Sequence, residues 1–272
     1  MRSLSVLSLY AMLTLGTVIM LTPLIWLIAA AFKTHADFFT SDLFPPLERL
    51  TTENFTTLFG EIPFGHFMAN SLFVAGATVL LQLFFASLGG FALAKYEFRG
   101  KTLLMLVMLA TMMIPGEVLL APMYELIYHL GLMDSHAGLI VPSMVSVFGL
   151  FLFRQAMLSI PDELLQAGRI DGCSEFALYW KIAVPVTRPM IGAFCLIAFM
   201  GTWNSFIWPQ IILNTSALYT LPIGVNQMVG QYRPDYGALM AGTLLSLLPV
   251  VLLFFMLQRE FIAGLTSGAV KG

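Results

Sequence analysis

Six long stretches of this chain are predominantly apolar: 7–32, 68–94, 103–127, 138–157, 190–213 and 237–257. Each reaches the roughly 20 residues that a helix needs to cross about 30 Å of hydrocarbon. Lipid offers no partner to an unpaired backbone N–H or C=O, so spans of this length must be helical. The expected fold class is therefore all-α, a polytopic membrane protein with six transmembrane helices and residues 1–272 forming one transmembrane domain. Only 10% of the residues are charged, against about 25% in soluble domains. An ordinary soluble enzyme is excluded, and no basic run suits nucleic acid. The first run carries Pro23 and Trp26 and ends at Lys33 without a small-x-small cleavage pattern. It reads as a retained span rather than a secretory leader.

Lys and Arg set the expected orientation. With six spans, one set of loops and ends holds Arg2, Lys95, Arg99, Lys101, Arg154, Arg169, Lys181, Arg188, Arg259 and Lys271. The opposite set holds Lys33, Arg49 and Arg233. The rich side is cytoplasmic. Both termini and the loops 95–102 and 158–189 are then inside, and 33–67, 128–137 and 214–236 are outside.

The 158–189 loop is long and polar for a connection between two spans. Ser159 stands three residues before Asp162, a capping-box spacing, and Pro161 suits a first turn. A short helix over Glu163–Ile170 follows. Asp171-Gly172 signals a turn, because Gly172 can take a positive φ. A second helix is expected from about Ser174 to Ala183, until Pro185 interrupts it. Physical reasoning alone fits two roles equally: a docking surface, or helices lying in the membrane interface.

The residues of this loop resemble the coupling loop of bacterial ABC importer permeases, whose pattern runs E-A-A-x3-G-x9-I-x-L-P. Its triplet falls on Gln166-Ala167-Gly168, its glycine on Gly172, its isoleucine on Ile182 and its last pair on Val184-Pro185. Ile160-Pro161-Asp162-Glu163-Leu164 and Arg169-Ile170-Asp171-Gly172-Cys173-Ser174 are similar to the maltose-type carbohydrate branch, which also includes glycerol-phosphate uptake systems. So are Asn54-Phe55, Asn70-Ser71-Leu72, Ile114-Pro115, Pro122-Met123-Tyr124, Trp203-Asn204, Trp208-Pro209 and the tail 258–272. Two positions depart from the pattern. Gln166 lacks the motif's charge, and Gly168 lowers helix propensity by about 1 kcal/mol relative to alanine.

The resemblance implies a permease subunit, with an ATPase dimer in the cytoplasm, a second related permease and an extracytoplasmic solute-binding protein as partners. It implies a sugar-like solute and an inner-membrane location. Glu163, Gln166, Ala167, Gly168, Asp171, Gly172 and Ser174 would face the ATPase, and the tail would reach the same interface. The chain itself offers no nucleotide cradle. Gly100-Lys101-Thr102 ends like a P-loop, but the first glycine of that pattern is replaced by Lys95. H-E-x-x-H and G-x-S-x-G are both missing from the sequence. No cofactor is expected. His35, His66, His129 and His136 are scattered over the external segments, which argues against a metal site, and Cys173 and Cys195 give no disulfide framework.

Four further residues are candidates for a translocation path. Glu117 falls within the third run, where an ionisable group is functional by default; a solvated, bent helix end accounts for it equally. Trp203, Asn204 and Gln210 combine an aromatic face with amides, as sugar sites do. Helix–helix hydrogen bonding and interfacial tryptophan explain them with fewer assumptions. The competing class is an ion- or proton-coupled transporter, which requires buried carboxylates or paired broken helices. Gln82 and Gly89-Gly90 read as helix packing.

Overall fold

The structure is a computed structural model that describes residues 2–39, 47–230 and 235–267. Every regular element among them is helical. The chain runs through α1 (Arg2–Ala31), α2 (Glu53–Gly60), α3 (Phe64–Lys95), α4 (Lys101–Met112), α5 (Leu120–His129), α6 (Ala137–Ser143) and α7 (Val147–Leu158). It continues through α8 (Asp162–Ile170), α9 (Glu175–Leu178), α10 (Val184–Val186), α11 (Arg188–Trp203), α12 (Ile207–Ile212), α13 (Leu221–Gly230) and α14 (Tyr236–Ser267).

Three apolar helices are unbroken over membrane-spanning length: Ser8–Ala31, Phe64–Lys95 and Tyr236–Gly264. The other runs are broken. The third bends by 95° between α4 and the segment Gly116–His129. Pro115 causes this: it is extended at φ −58°, ψ 133°, and a proline also pushes the residue before it out of the helical region. Glu117 therefore lies in a single 3-10 turn, Gly116–Leu119, and is exposed. The fourth run bends by 43° between α6 and α7. Ser146 restarts the helix by accepting the Gly149 amide on its hydroxyl, and Gln82 Nε2 donates to the Ser143 carbonyl freed at the break, at 2.7 Å. The fifth run is two helices, α11 and α12, separated by Asn204–Phe206.

The chain packs as two compact units. In residues 1–68 with 223–248, the buried Asn54 amide donates to the carbonyls of Ala31 and Lys33, both at 2.8 Å. These are orphan acceptors at the end of α1, so Asn54 is a structural cap.

In residues 69–222 with 249–272, one core joins Ala86 and Phe91 of α3, Phe153 and Met157 of α7, Ile160, Leu165 of α8, Leu178, Tyr179, Ala183 and Phe194 of α11. Glycines allow this closeness. A Cβ on Gly90 would lie 2.6 Å from Phe153 Cβ and 2.8 Å from the Arg154 backbone nitrogen. Small residues at such crossings let the van der Waals contact that holds helices together in lipid reach backbone range.

Candidate functional site

The polar 158–189 loop is a pair of short helices rooted in that core. α8 starts at Asp162, one residue earlier than expected, and its N-cap is Pro161, with no side-chain cap. The capping box expected from Ser159 does not form. The Ser159 hydroxyl instead donates to the Ala156 carbonyl at 2.7 Å and so finishes α7. Pro161, at φ −59°, ψ 135°, already turns the chain into α8.

The α8 end follows the expected turn. Gly172 sits at φ +80°. Its N–H donates to the Arg169 carbonyl at 3.0 Å, and the Cys173 N–H donates to the Gly168 carbonyl at 2.9 Å. This pair of bonds around a left-handed residue is the Schellman arrangement, which satisfies carbonyls the helix end leaves open. Ser174 caps α9 by accepting the Ala177 amide.

The second helix does not stop at Pro185. A π-helical turn, Tyr179–Ala183, leads directly into α10, which contains Pro185. Proline removes one donor from the regular ladder. The π turn shifts the bonding register just before it, with Val184 N–H reaching Tyr179 O. Helical geometry then continues to Thr187, where the chain bends by 81° into α11.

The seven predicted loop residues divide by exposure. Glu163, Gln166, Ala167, Asp171, Gly172 and Ser174 are exposed, and Gly168 is buried. Gly168 is a packing residue: a Cβ there would come within 3.0 Å of Ile182 Cδ1 and closer still to Leu178. The departure at Gly168 thus allows α8 to approach the second helix.

Three contacts that were not read from the sequence tie the loop to the end of α3. Lys95 Nζ donates to the Ile160 carbonyl at 2.5 Å and to Asp162 Oδ1 at 2.7 Å. Arg169 and Glu175 form a two-point pair, Nε to Oε1 at 2.8 Å and Nη2 to Oε2 at 3.1 Å, and the Tyr96 hydroxyl donates to the same carboxylate. Ser87 Oγ lies 2.7 Å from the Tyr179 hydroxyl. Arg169 holds the Glu175 carboxyl down, assisted by Tyr96, at about 2. A carboxylate depressed on folding contributes stability above its unfolded pKa and loses it as pH falls through the folded value. The pair is therefore intact at neutral pH and comes apart only as pH drops from about 4.5 toward about 2.

The four path candidates are not gathered into one place. Glu117 and Asn204 both line an open cleft of about 380 Å³ with Trp208. Trp203 is buried and stacked on Phe199, with ring centroids 5.3 Å apart. Asn204 Nδ2 donates to the Met200 carbonyl at 2.9 Å, closing α11. Gln210 is exposed on α12 and does not line that cleft. A second, smaller cleft of about 140 Å³ is lined by Ser71, Gln82, Ser143, Ser205, Trp208 and Thr220 among others.

Residues 86–265 match the family described as binding-protein-dependent transport system inner membrane component. The chain is 37% identical over 254 residues to the arabinooligosaccharides transport system permease protein AraQ of Halalkalibacterium halodurans, covering 92% of this chain and 91% of that one. It is 33% identical over 275 residues to the sn-glycerol-3-phosphate transport system permease protein UgpE of Salmonella typhimurium, covering 98% and 97%. Its fold is similar to a chain of a bacterial ABC transporter involved in import of the acidic polysaccharide alginate, with a TM-score of 0.86 at 20% identity over 96% of this chain and 98% of that one.

Proposed function

The chain belongs to the family of binding-protein-dependent transport system inner membrane components, and on that premise we propose that residues 1–272 act as one permease subunit of an ATP-driven importer for a sugar-like solute. It works with a second related permease, a cytoplasmic ATPase dimer and an extracytoplasmic binding protein. ATP-driven closure of the ATPase pair moves the 158–189 loop, and the spans alternate access around the solute.

The observation that carries this reading is the two-sidedness of the loop. Its inner side is anchored by Leu165, Leu178 and Tyr179, each at most 2% exposed. Its outer side presents Leu164, Ile170, Phe176 and Trp180 at 48%, 86%, 58% and 57% exposure. Apolar side chains in a polar rim mark an interaction surface. The exposed Glu163, Gln166, Ala167, Asp171, Gly172 and Ser174 supply the rim and the turn. Lys95, Tyr96, Arg169 and Glu175 pass the loop's motion to α3.

The maltose-type branch is favoured by the loop and tail residues, and a saccharide cargo is favoured by the arabinooligosaccharide permease among the relatives. Glycerol phosphate is the alternative within the same family. Residues 258–267 belong on the cytoplasmic side beside the loop, where Arg188 pairs with Glu260 at 3.4 Å; residues 268–272 of the tail lie outside the described residues. Reconstitution with the partner subunits tests the reading. ATP hydrolysis is expected to rise when solute-loaded binding protein is added, and a complex that recruits no ATPase, or hydrolyses ATP without responding, overturns it.

Two further outcomes follow. On the ten-to-three distribution of basic residues, Cys173 is expected inside and Glu61 outside. In sealed cells, a cysteine at Glu61→Cys is expected to react with an impermeant thiol reagent while Cys173 stays protected. Reaction at Cys173 alone would invert the arrangement. Glu117, exposed in its turn, is expected to be dispensable. Uptake by Glu117→Gln should stay within about twofold, which is under 0.5 kcal/mol. A loss above tenfold would favour the proton-coupled alternative.

A further inference from the structure

The smaller cleft sits where helices break. α3 contributes Ser71 and Gln82 to it, the end of α6 contributes Ser143, and the gap between α11 and α12 contributes Ser205. Trp208 and Thr220 complete the wall. At membrane depth, irregular backbone persists only inside protein or against a water-filled cavity, and in secondary transporters the solute sits at discontinuous helices.

The cleft's polar groups are partly committed already. Gln82 Nε2 is taken by the Ser143 carbonyl, which leaves the Gln82 side-chain carbonyl to accept. Trp208 Nε1 is taken by the Gly138 carbonyl at 3.2 Å, which leaves its ring face. The Ser71 hydroxyl accepts the Leu221 amide at 2.7 Å and keeps its own proton to donate. The Thr220 hydroxyl has no partner among the described residues although Thr220 is only 4% exposed. A buried hydroxyl gains by meeting a partner, and a solute hydroxyl in the cleft can supply one. No described residue lining the cleft is charged.

Hydroxyls that donate and accept, a free amide carbonyl and an aromatic face match a saccharide ring, with its hydroxyls and C–H face. They do not match a phosphate or carboxylate, which is bound through cationic or charge-assisted donors. We propose that this cleft is a subsite for an uncharged polyhydroxylated solute, contributed by this subunit to the translocation path. The proposal rests on the importer reading and narrows it to neutral cargo.

Cysteine protection tests it. Thr220→Cys and, separately, Ser205→Cys are placed in a chain whose Cys173 and Cys195 are replaced by alanine, within the whole transporter in membrane vesicles. Modification by 2-aminoethyl methanethiosulfonate is timed during ATP turnover with binding protein present. The probes are arabinotriose and lactose as neutral saccharides, and sn-glycerol 3-phosphate as an anion. The expected result is reaction at both positions, slowed at least fivefold by a neutral saccharide and unchanged by glycerol phosphate. Protection by glycerol phosphate, reaction that no saccharide slows, or failure of both cysteines to react would overturn the proposal. Stimulation of ATP hydrolysis by binding protein is read in the same vesicles. If stimulation is present while protection fails, the subsite alone is lost; if stimulation itself fails, the importer reading is lost.

Discussion

Gly172→Val is expected to reach the membrane at near-normal level and yet fail to couple ATP hydrolysis to uptake. Gly172 is held at φ +80°. A Cβ there would meet nothing within 4 Å, so the penalty is purely one of backbone conformation. A β-branched residue resists positive φ, and a residue forced into such a region costs about 1–3 kcal/mol. The Schellman bonds from Gly172 and Cys173 back to α8 depend on that conformation. Losing them swings α8 relative to α9 and scatters the exposed Leu164, Ile170, Phe176 and Trp180. Gly172→Asn is the control, because asparagine tolerates the left-handed region. Reconstituted Gly172→Asn should respond to binding protein, and Gly172→Val should bind its ATPase weakly or hydrolyse ATP without response. Wild-type stimulation and uptake in Gly172→Val would reduce the loop to an interfacial connector.

The largest effect on stability is expected at Gly90. A Cβ added there would lie 2.6 Å from Phe153 Cβ, 2.8 Å from the Arg154 nitrogen and 3.0 Å from the Phe153 carbonyl carbon. Two of the three obstacles are backbone, so no rotamer change relieves the clash. α3 and α7 must separate, and the core of Ala86, Phe91, Phe153 and Met157 opens with them. Overpacking of this kind costs about 1–3 kcal/mol and occasionally more. Gly76 lies on the same helix with nothing within 4 Å of an added Cβ, and alanine there gains helix propensity. In detergent, Gly90→Ala should melt several degrees below wild type, and Gly76→Ala at or slightly above it. Equal melting points for the two variants would mean that the α3–α7 contact is looser than these distances.

Hydropathy made the apolar runs and their helical character legible, because lipid leaves backbone groups no other partner. The Asp171-Gly172 turn was legible too, since glycine enters positive φ more readily than a residue with a Cβ. The breaks were not. Hydropathy is blind to backbone direction, so the break after α6 and the gap at Asn204 passed inside continuous runs, and the bend at Pro115 entered only as one of two accounts of Glu117. Pro185 was misread for the opposite reason: a π turn supplied the register shift that let the helix pass it. Ser159 had the spacing of a cap but served the helix behind it. Among the path residues, Trp203 stacks on Phe199, and Asn204 closes α11 while also lining the cleft with Glu117. Lys95, Tyr96 and Glu175 carried no local signal at all. Lys95 meets Asp162 across 67 residues and Tyr96 meets Glu175 across 79, and no spacing rule reports contacts between segments so far apart in the chain.

The anchoring of the 158–189 loop bears on how such subunits can be recombined. Its side chains are fastened to Ser87, Lys95 and Tyr96, which are encoded far upstream of it. A chimaera that exchanged only the loop would bring a new Asp162, Glu175 or Tyr179 position to old partners and break the fastening from one side. The exchangeable cassette is discontinuous in the gene: the loop together with residues 87–96. A chimaera that exchanges both segments together is expected to keep the fastening intact.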